Sequence, residues 1–421
     1  MTVHDPSSLG IVACPGGEAF AREIVAHLRQ IYRRRFEKRV ARLSEKYGIS
    51  REDAIREISL FSDLVHPSVN GKNTEVYVPP QFHIPAAFVR FANGELKTEL
   101  LSSVRDKEVY IVQDVENRYP QRFSDGKEYT LSVNDNFIML LVTIDAVLQS
   151  SPKSVSLVLP SYPYARQHKK KGREGLTAAR VGQIFEFLGV SRIITLDIHS
   201  TEIQNSFNTL RLENLHASYQ ILLKLSDLVD LQHEDLVVVA PDTGSVSRNK
   251  FYAGSLKKPL AVIYKERDYS KVSTDASNSN ISSLKLLGNV QGKTVFMADD
   301  MLGTGGTLIK AMRLLKEEGA ERIICAVSLP LFTGDAVEHF EQAYREGLFH
   351  RVIGTNAVYH EDDLLSREWY ISANVSNLFA RTISRLHHRQ SLSPLLDNSS
   401  IIQWLLKKQE RKKAREEGEE A

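Results

Sequence analysis

The stretch Val295-Phe296-Met297-Ala298-Asp299-Asp300-Met301-Leu302-Gly303-Thr304-Gly305-Gly306-Thr307 decides the fold of this 421-residue chain. The apolar run from Thr294 to Ala298 predicts a buried strand, and two adjacent acids follow where a parallel strand would end. A turn of small residues comes next, and Leu308 to Glu318 predicts a helix that Gly319 terminates. This order is typical of a phosphate-binding site, because backbone N–H groups converge in such a turn and glycines let an anion approach closely.

The two acids of this stretch, Asp299 and Asp300, cannot themselves hold a phosphate, since like charges repel. They suit the hydroxyl groups of a sugar, or a metal ion beside the phosphate. A phosphorylated sugar accounts for both halves of the stretch. The alternative is an ordinary strand, turn and helix whose turn happens to be polar.

The composition of the whole chain indicates a globular protein of two or three domains, with 42% hydrophobic and 25% charged residues. A net charge of +2 gives no reason to expect a nucleic acid or a membrane as partner. We expect no membrane span, because no apolar run approaches ~20 residues. Cys14 and Cys325 lie far apart without a CxxC motif, which favours a reducing, cytoplasmic location.

Strands and helices alternate along most of the chain, which predicts an α/β fold of parallel sheets covered by helices on both faces. In such sheets ligands bind beyond the carboxyl ends of the strands. The predicted strands are residues 10–13, one ending near 91, 109–113, 154–159, 192–196, 236–240, 260–264, 294–298, 323–328 and 352–355.

Polar clusters follow several of these strands directly. Asp197-Ile198-His199-Ser200, Pro241 to Arg248 and Lys265-Glu266-Arg267-Asp268 each come at a strand end. A lone histidine is usually structural, but His199 stands after a strand and an acid, as Asp299 and Asp300 do, and is therefore a candidate ligand. Tyr162 to Glu174 combines aromatic and basic residues and suits a mobile loop over a polyphosphate; the alternative is a solvent loop that is basic by chance.

Other segments carry no such chemistry. Residues 30–75 predict a charged helical insertion, with a helix capped at Ser50, and its Arg33-Arg34-Arg35 run is either a solvated helix face or an anion patch. Residues 116–127 predict a loop. Residues 270–283 are rich in Ser and Asn and predict a flexible loop, and residues 404–421 predict an exposed, charged helical tail.

Six motifs together resemble the family of ribose-phosphate diphosphokinases, which make 5-phosphoribosyl 1-diphosphate (PRPP). In chain order they are RFANGE, YARQ, DIHSTEIQ, APDTGSVSR, KERD and DDMLGTGGT, and the resemblance runs from about Ile11 to Leu396. It implies two similar phosphoribosyltransferase-type α/β domains, each a mostly parallel sheet flanked by helices, in a homo-oligomer that is commonly a hexamer built from dimers. We therefore expect domains at 8–210 and 211–395, followed by a charged tail at 396–421.

The resemblance also implies a reaction, in which the 1-hydroxyl of ribose 5-phosphate attacks the β-phosphorus of Mg-ATP and AMP leaves. It assigns a role to each matching residue. The catalytic residues would be Lys265 and Arg267. ATP would be contacted by Arg166 and Gln167, and by Phe91, Asn93, Gly94 and Glu95 from a neighbouring subunit. Ribose 5-phosphate would be bound by Arg267, Asp299, Asp300, Gly303, Thr304, Gly305, Gly306 and Thr307, and Mg²⁺ by His199 and Asp242.

Several positions depart from the family pattern. Gly303, Asn93 and His168 each stand where Asp is usual, and the basic loop after Gln167 is about one residue short. Two alternatives therefore stay open. One is an inactive regulatory relative, which only Gly303 and Asn93 favour. The other is a phosphoribosyltransferase of nucleotide salvage, which would share residues 295–307 but is usually a single domain without the Lys265 and Arg166 motifs.

Overall fold

A computed structural model describes residues 8–65, 80–170, 172–233, 235–267 and 281–419 of the chain. Within these ranges the side chains of 59–65, 265–267, 281–283 and 412–419 are not described. The strands are β1 (Leu9–Ala13), β2 (Ala86–Arg90), β3 (Leu96–Leu100), β4 (Glu108–Val112), β5 (Pro120–Arg122), β6 (Glu128–Thr130), β7 (Ser154–Val158), β8 (Arg192–Leu196), β9 (Arg211–Leu215), β10 (Leu236–Ala240), β11 (Leu260–Arg267), β12 (Ile281–Leu287), β13 (Thr294–Leu302), β14 (Arg322–Pro330), β15 (Arg351–Thr355) and β16 (Tyr370–Ala373).

Helices alternate with these strands. They are α1 (Glu18–Tyr47), α2 (Arg51–Val65), α3 (Val133–Gln149), α4 (Thr177–Leu188), α5 (Ser218–Leu225), α6 (Val246–Leu256), α7 (Gly306–Glu317), α8 (Ala336–Arg345), α9 (Asp362–Leu365), α10 (Ser376–His387), α11 (Ser393–Leu396) and α12 (Ser399–Glu419). Across the described ranges, no helix combines the length and the apolar character that crossing a membrane requires.

The strands form two main sheets, which confirms the α/β prediction. In the described residues the first sheet has the order β1-β4-β7-β8-β9 and is parallel throughout. The second has the order β12-β11-β10-β13-β14-β15-β16, in which only β12 runs antiparallel to its neighbour. Strand β10 is buried along its whole length and β14 from Ile323 to Pro330, as expected for central strands of a sheet with helices on both faces.

Two predicted boundaries in the opening stretch were wrong. Strand β13 continues past the acids to Leu302, because β14 is equally long and pairs with it as far as Pro330. Helix α7 begins at Gly306, two residues earlier than predicted, after Gly305 turns the chain in a left-handed conformation with φ of 73°. Asp299 and Asp300 therefore lie inside the paired strand rather than in the turn after it.

The helical insertion consists of α1, one continuous helix of 30 residues, and α2. Gly48 ends α1 in a left-handed conformation, and the hydroxyl of Ser50 accepts a hydrogen bond from the backbone N–H of Asp53, which confirms the predicted cap. Arg33 and Arg34 are exposed on a solvated helix face, whereas Arg35 is half-buried and donates to Oε1 of Gln390 at 2.9 Å. The predicted loop at 116–127 was wrong in part, because β5 and β6 form a hairpin there.

The predicted exposed tail was also wrong in part. Helix α12 buries Ile402, Leu405 and Leu406 against α5 and α6, while Trp404 stays exposed. Strand β9 pairs with β8, so the last strand of the first sheet ends at Leu215. The predicted loop at 270–283 lies outside the described residues up to 280, and its last three residues begin β12.

Candidate active site

The carboxyl ends of β8, β10 and β13 border one cleft with a volume of about 1170 Å³. It lies where the two sheets face each other, as expected for ligand sites in α/β folds. Polar side chains from both halves of the chain converge in it. The predicted site residues that line the cleft are Arg166, His199, Asp242, Asp299, Asp300, Gly303, Thr304, Gly305, Gly306 and Thr307.

The glycine turn forms one end of this cleft and runs into the N-terminus of α7. Gly305 has a positive φ of 73°, and a Cβ at this position would collide with the ring of Phe340, so the turn requires glycine here. Backbone N–H groups at the start of α7 have no partner within the helix and suit an anion. The turn can therefore hold a phosphate group.

Gly303 differs from Gly305 in its backbone, because its φ lies outside the left-handed region. A Cβ at Gly303 would lie 3.3 Å from Nη2 of Arg166 and 3.6 Å from Oγ1 of Thr333, which is tight but not prohibitive. The guanidinium group of Arg166 thus comes from the first half of the chain and lies directly beside the glycine turn of the second.

The two carboxylates of the acid pair, Asp299 and Asp300, have different surroundings. Nδ1 of His199 lies 2.6 Å from Oδ2 of Asp300. Burial alone would raise the pKa of Asp300, but this hydrogen bond and the charge of Arg248 bring it below its ordinary value. Burial, followed by the neighbouring charge of Asp300, raises the pKa of Asp299. One carboxylate is therefore held in place by histidine, and the other gains most from a ligand that donates hydrogen bonds or brings positive charge.

A second ion pair lies in the wall of the cleft and was not predicted. Asp197 is buried and accepts from Arg248 at 3.1 Å, His216 at 2.9 Å and Ser328 at 2.6 Å. Although burial opposes ionisation, the positive charge of Arg248 and the hydrogen bond from His216 keep the pKa of Asp197 below its usual range. Both ion-pair residues occur in the quoted motifs, but their pairing across two sheets leaves no trace in sequence spacing.

Five other predicted residues do not line the cleft. Phe91, Asn93, Gly94 and Glu95 form an exposed turn between β2 and β3, where Gly94 has a φ of 94°. Gln167 is exposed beside Arg166. Lys265 and Arg267 lie in the last part of β11, next to β10 in the same sheet, and their side chains are outside the described set.

The donors in the cleft fit a hard cation only in part. Among the described residues no three His, Cys, Asp or Glu side chains are placed as a complete metal site. Asp242 contributes to the raised pKa of Asp299, so like charges crowd here and a cation would relieve their repulsion. The carboxylates here suit a hard cation whose coordination is completed by oxygen atoms of a substrate, whereas imidazole is a less usual ligand for such a cation.

Comparison with known proteins identifies two matching family models. Residues 81–189 match the N-terminal domain of ribose phosphate pyrophosphokinase, and residues 209–353 match the phosphoribosyl transferase domain. Ribose-phosphate pyrophosphokinase A of Dictyostelium discoideum is 31% identical over 311 residues, which covers 74% of this chain and 89% of that protein. The ribose-phosphate pyrophosphokinase of Wolinella succinogenes is 31% identical over 345 residues, 81% of this chain and 99% of that protein.

A solved structure agrees with these sequence matches. The phosphoribosylpyrophosphate synthetase of Mycobacterium smegmatis superposes with a TM-score of 0.64 at 26% identity, covering 90% of this chain and 99% of that one. The likeness therefore extends over both sheets and over the cleft between them.

Proposed function

The chain belongs to the family of ribose-phosphate pyrophosphokinases, and on that premise we propose that it makes PRPP. The 1-hydroxyl of ribose 5-phosphate attacks the β-phosphorus of ATP, the bond from that phosphorus to the α-phosphate oxygen breaks, and AMP leaves. One observation carries the proposal: the glycine turn, the acid pair and Arg166 line a single cleft, although they come from different halves of the chain. A sugar phosphate and a polyphosphate would meet there.

The sugar phosphate binds at the second sheet in this proposal. The turn from Gly303 to Thr307 holds the 5-phosphate through backbone N–H groups at the start of α7. Asp299 and Asp300 accept hydrogen bonds from the ribose hydroxyls, and His199 fixes the orientation of Asp300.

Phosphoryl transfer depends mainly on positioning and on stabilisation of charge. Lys265 and Arg267 supply positive charge to the migrating diphosphate, and Arg267 also lies near the sugar. Their place in β11 supports these roles, because β11 runs parallel to β10 and its carboxyl end therefore shares an edge with Asp242. Arg166 and Gln167 contact ATP.

We propose Mg²⁺ as the cofactor, held by His199 and Asp242 together with oxygen atoms of the nucleotide. When bound, it neutralises charge on the transferred phosphates. The protein orients both ligands. Asp300 holds the imidazole of His199, and the backbone N–H of Ser245 donates a hydrogen bond to the carboxylate of Asp242 at 2.9 Å.

The turn at Phe91, Asn93, Gly94 and Glu95 supports a proposal about assembly. This turn is exposed and does not line the cleft of its own chain. We propose that it contacts ATP bound to a neighbouring subunit of a dimer-based homo-oligomer. The free, buried thiols of Cys14 and Cys325 support a cytoplasmic location for that assembly.

The experiment that tests this function omits any nucleobase. Purified protein is incubated with ATP, ribose 5-phosphate and magnesium, and the nucleotide and sugar products are quantified. Equal amounts of AMP and PRPP are expected. A salvage phosphoribosyltransferase would release neither product, and a regulatory relative would bind ribose 5-phosphate without forming AMP; either result would contradict the proposal.

A further inference from the structure

The segment between β4 and α3 connects the two halves of the chain at the carboxyl end of the first sheet. It leads from Asp114 through Tyr119 into the hairpin of β5 and β6, and the family resemblance gives its residues 116–130 no role. One set of contacts fixes this segment to the first half. Another set, made by the residues just before the hairpin, reaches the backbone beside the phosphate turn.

Buried amides fix the hairpin to the first half. Asn117 donates to the carbonyl of Gly16 at 3.0 Å, and Gln121 donates to Oδ1 of Asn136 at 3.2 Å. Asn136 is fully buried and donates back to the carbonyl of Asn117 at 3.0 Å. Unsatisfied amides are costly in a protein interior, so this network allows the start of the hairpin little movement.

Three consecutive contacts join this segment to the second half. The carboxylate of Asp114 accepts from the backbone N–H of Tyr359 at 2.7 Å. Tyr119 donates its hydroxyl hydrogen to Asp363, also at 2.7 Å. Between them, the guanidinium group of Arg118 donates to the backbone carbonyl of Phe332.

Phe332 occupies an unusual place. Its φ is 42°, a left-handed conformation that is strained for a bulky residue. Its N–H donates to the carbonyl of Leu302 at 2.9 Å, and the N–H of Thr333 donates to the carbonyl of Gly303 at 3.2 Å. The strained residue therefore determines where the phosphate turn begins.

We propose that Arg118 is a positioning residue for the phosphate turn, acting through the carbonyl of Phe332. Its hydrogen bond helps to keep Phe332 in the strained conformation, and Phe332 and Thr333 in turn hold Leu302 and Gly303. Without the guanidinium group the peptide after Phe332 relaxes and the turn loses its alignment. This inference rests on the proposed function only in taking the turn as the binding site for the 5-phosphate.

The test compares Arg118→Met with Arg122→Met. Methionine keeps the length and apolar contacts of the side chain but cannot donate hydrogen bonds. Arg122 is an exposed arginine four residues further along the same segment, in β5, and controls for loss of charge. Ribose 5-phosphate binding is measured by calorimetry, and KM for each substrate, kcat and Tm are measured beside it.

We expect Arg118→Met to weaken ribose 5-phosphate binding and raise its KM about tenfold, as loss of one charge-assisted hydrogen bond would. KM for ATP should change less than about twofold. Arg118→Lys, which keeps a donor, should recover part of the loss, and Arg122→Met should behave as the unmutated protein.

A second variant guards against a general effect on the contact between the halves. Tyr119→Phe removes the hydroxyl with its contacts to Asp363, His360 and Arg118. It keeps the aromatic ring, whose centroid lies 5.6 Å from the guanidinium group of Arg118, and leaves the bond from Arg118 to Phe332 in place, so ribose 5-phosphate binding should change less than about twofold. The inference is overturned if Tyr119→Phe or Arg122→Met weakens binding as much as Arg118→Met, or if Arg118→Met changes both KM values equally. Because calorimetry needs no turnover, a protein that binds ribose 5-phosphate but forms no AMP would contradict the proposed function alone.

Discussion

Among single residues, Lys265 is proposed to stabilise charge on the migrating diphosphate. We expect Lys265→Ala to lower kcat by on the order of 10²-fold or more, because removal of one preorganised charge stabiliser typically costs ~3 kcal/mol. ATP binding should change far less, since the charge matters most as the diphosphate migrates. Single-turnover kinetics beside an ATP titration separate these effects. Near-normal turnover would remove Lys265 from the mechanism.

At Gly303 the informative substitution adds a charged side chain instead of removing one. Its φ is outside the left-handed region, and an Asp side chain at this position would start beside the guanidinium group of Arg166. We expect Gly303→Asp to leave kcat unchanged or to raise it by about threefold, through an ion pair at a partly exposed site. Steady-state kinetics and a ribose 5-phosphate titration of both proteins provide the measurement.

Gly305→Ala is the matched control, because its positive φ and its contact with Phe340 should make even a methyl group damaging. If the unmutated protein fails to bind ribose 5-phosphate and Gly303→Asp restores binding, the inactive-relative interpretation becomes the better one.

His199 connects the acid pair to the proposed metal. His199→Ala should raise the magnesium concentration needed for half-maximal rate by about tenfold with ATP present, since it removes one ligand and frees Asp300. His168→Ala is a suitable control, because His168 packs edge-on against His199, with ring centroids 5.0 Å apart, but is not a proposed ligand. An unchanged magnesium titration for His199→Ala would exclude it as a ligand.

Site residues could be predicted from the sequence where they directly follow a predicted strand in the chain. The glycine turn, the two acids and His199 stand directly after apolar runs, and the structure places them in one cleft. The ion pair of Asp197 with Arg248 could not be found in this way, because one partner ends a strand of the first sheet and the other lies in a helix of the second. Only the folded chain brings them together.

At the scale of secondary-structure elements, Glu108 joins β4 to α10. Its carboxylate lies 2.9 Å from Nδ1 of His387 and 2.9 Å from Nζ of Lys153. Although burial opposes ionisation, these two hydrogen bonds lower the pKa of Glu108 to about 2. The carboxylate therefore stabilises the fold above its unfolded pKa, and this contribution is lost as pH falls toward 2.

We accordingly expect Glu108→Gln to lower the free energy of unfolding by about 2 kcal/mol at pH 7, the usual value for a hydrogen bond to a charged group. The difference should shrink as pH falls below the ordinary range for Glu. Denaturant unfolding of both proteins between pH 3 and 8, in buffers of equal ionic strength, measures it. A difference that is independent of pH would show that the charge of Glu108 is not what matters.

Buried parallel strands were the most predictable elements, because they are continuous apolar runs; β8 and β10 match their predicted bounds. The sequence did not predict strands β3, β5, β6, β9, β12 and β16. Most of them are short or half exposed, and their pairing partners rather than their own composition make them strands. The end of β13 was misplaced for the same reason, since its length depends on β14.

At the scale of the whole molecule, the active-site cleft exists only because the halves are held together. One apolar core extends continuously from the first sheet to the second. Its members include Ile24 of α1, Ile194 of β8 and Phe379 of α10. Helices α1 and α10 pack along each other, with the ring of Phe20 edge-on to that of Phe379 at 5.1 Å. This core fixes the distance between Arg166 and the glycine turn.

The central claim is that this cleft transfers a diphosphoryl group rather than a single phosphate. Phosphorus NMR of a mixture of protein, magnesium, ATP and ribose 5-phosphate tests it most directly, because it follows the α-, β- and γ-phosphorus atoms together. The account predicts that the β and γ signals disappear from ATP and reappear as a diphosphate on C1 of the sugar, with AMP formed in equal amount. Formation of ADP with a singly phosphorylated product, or no change in the spectrum, would contradict it.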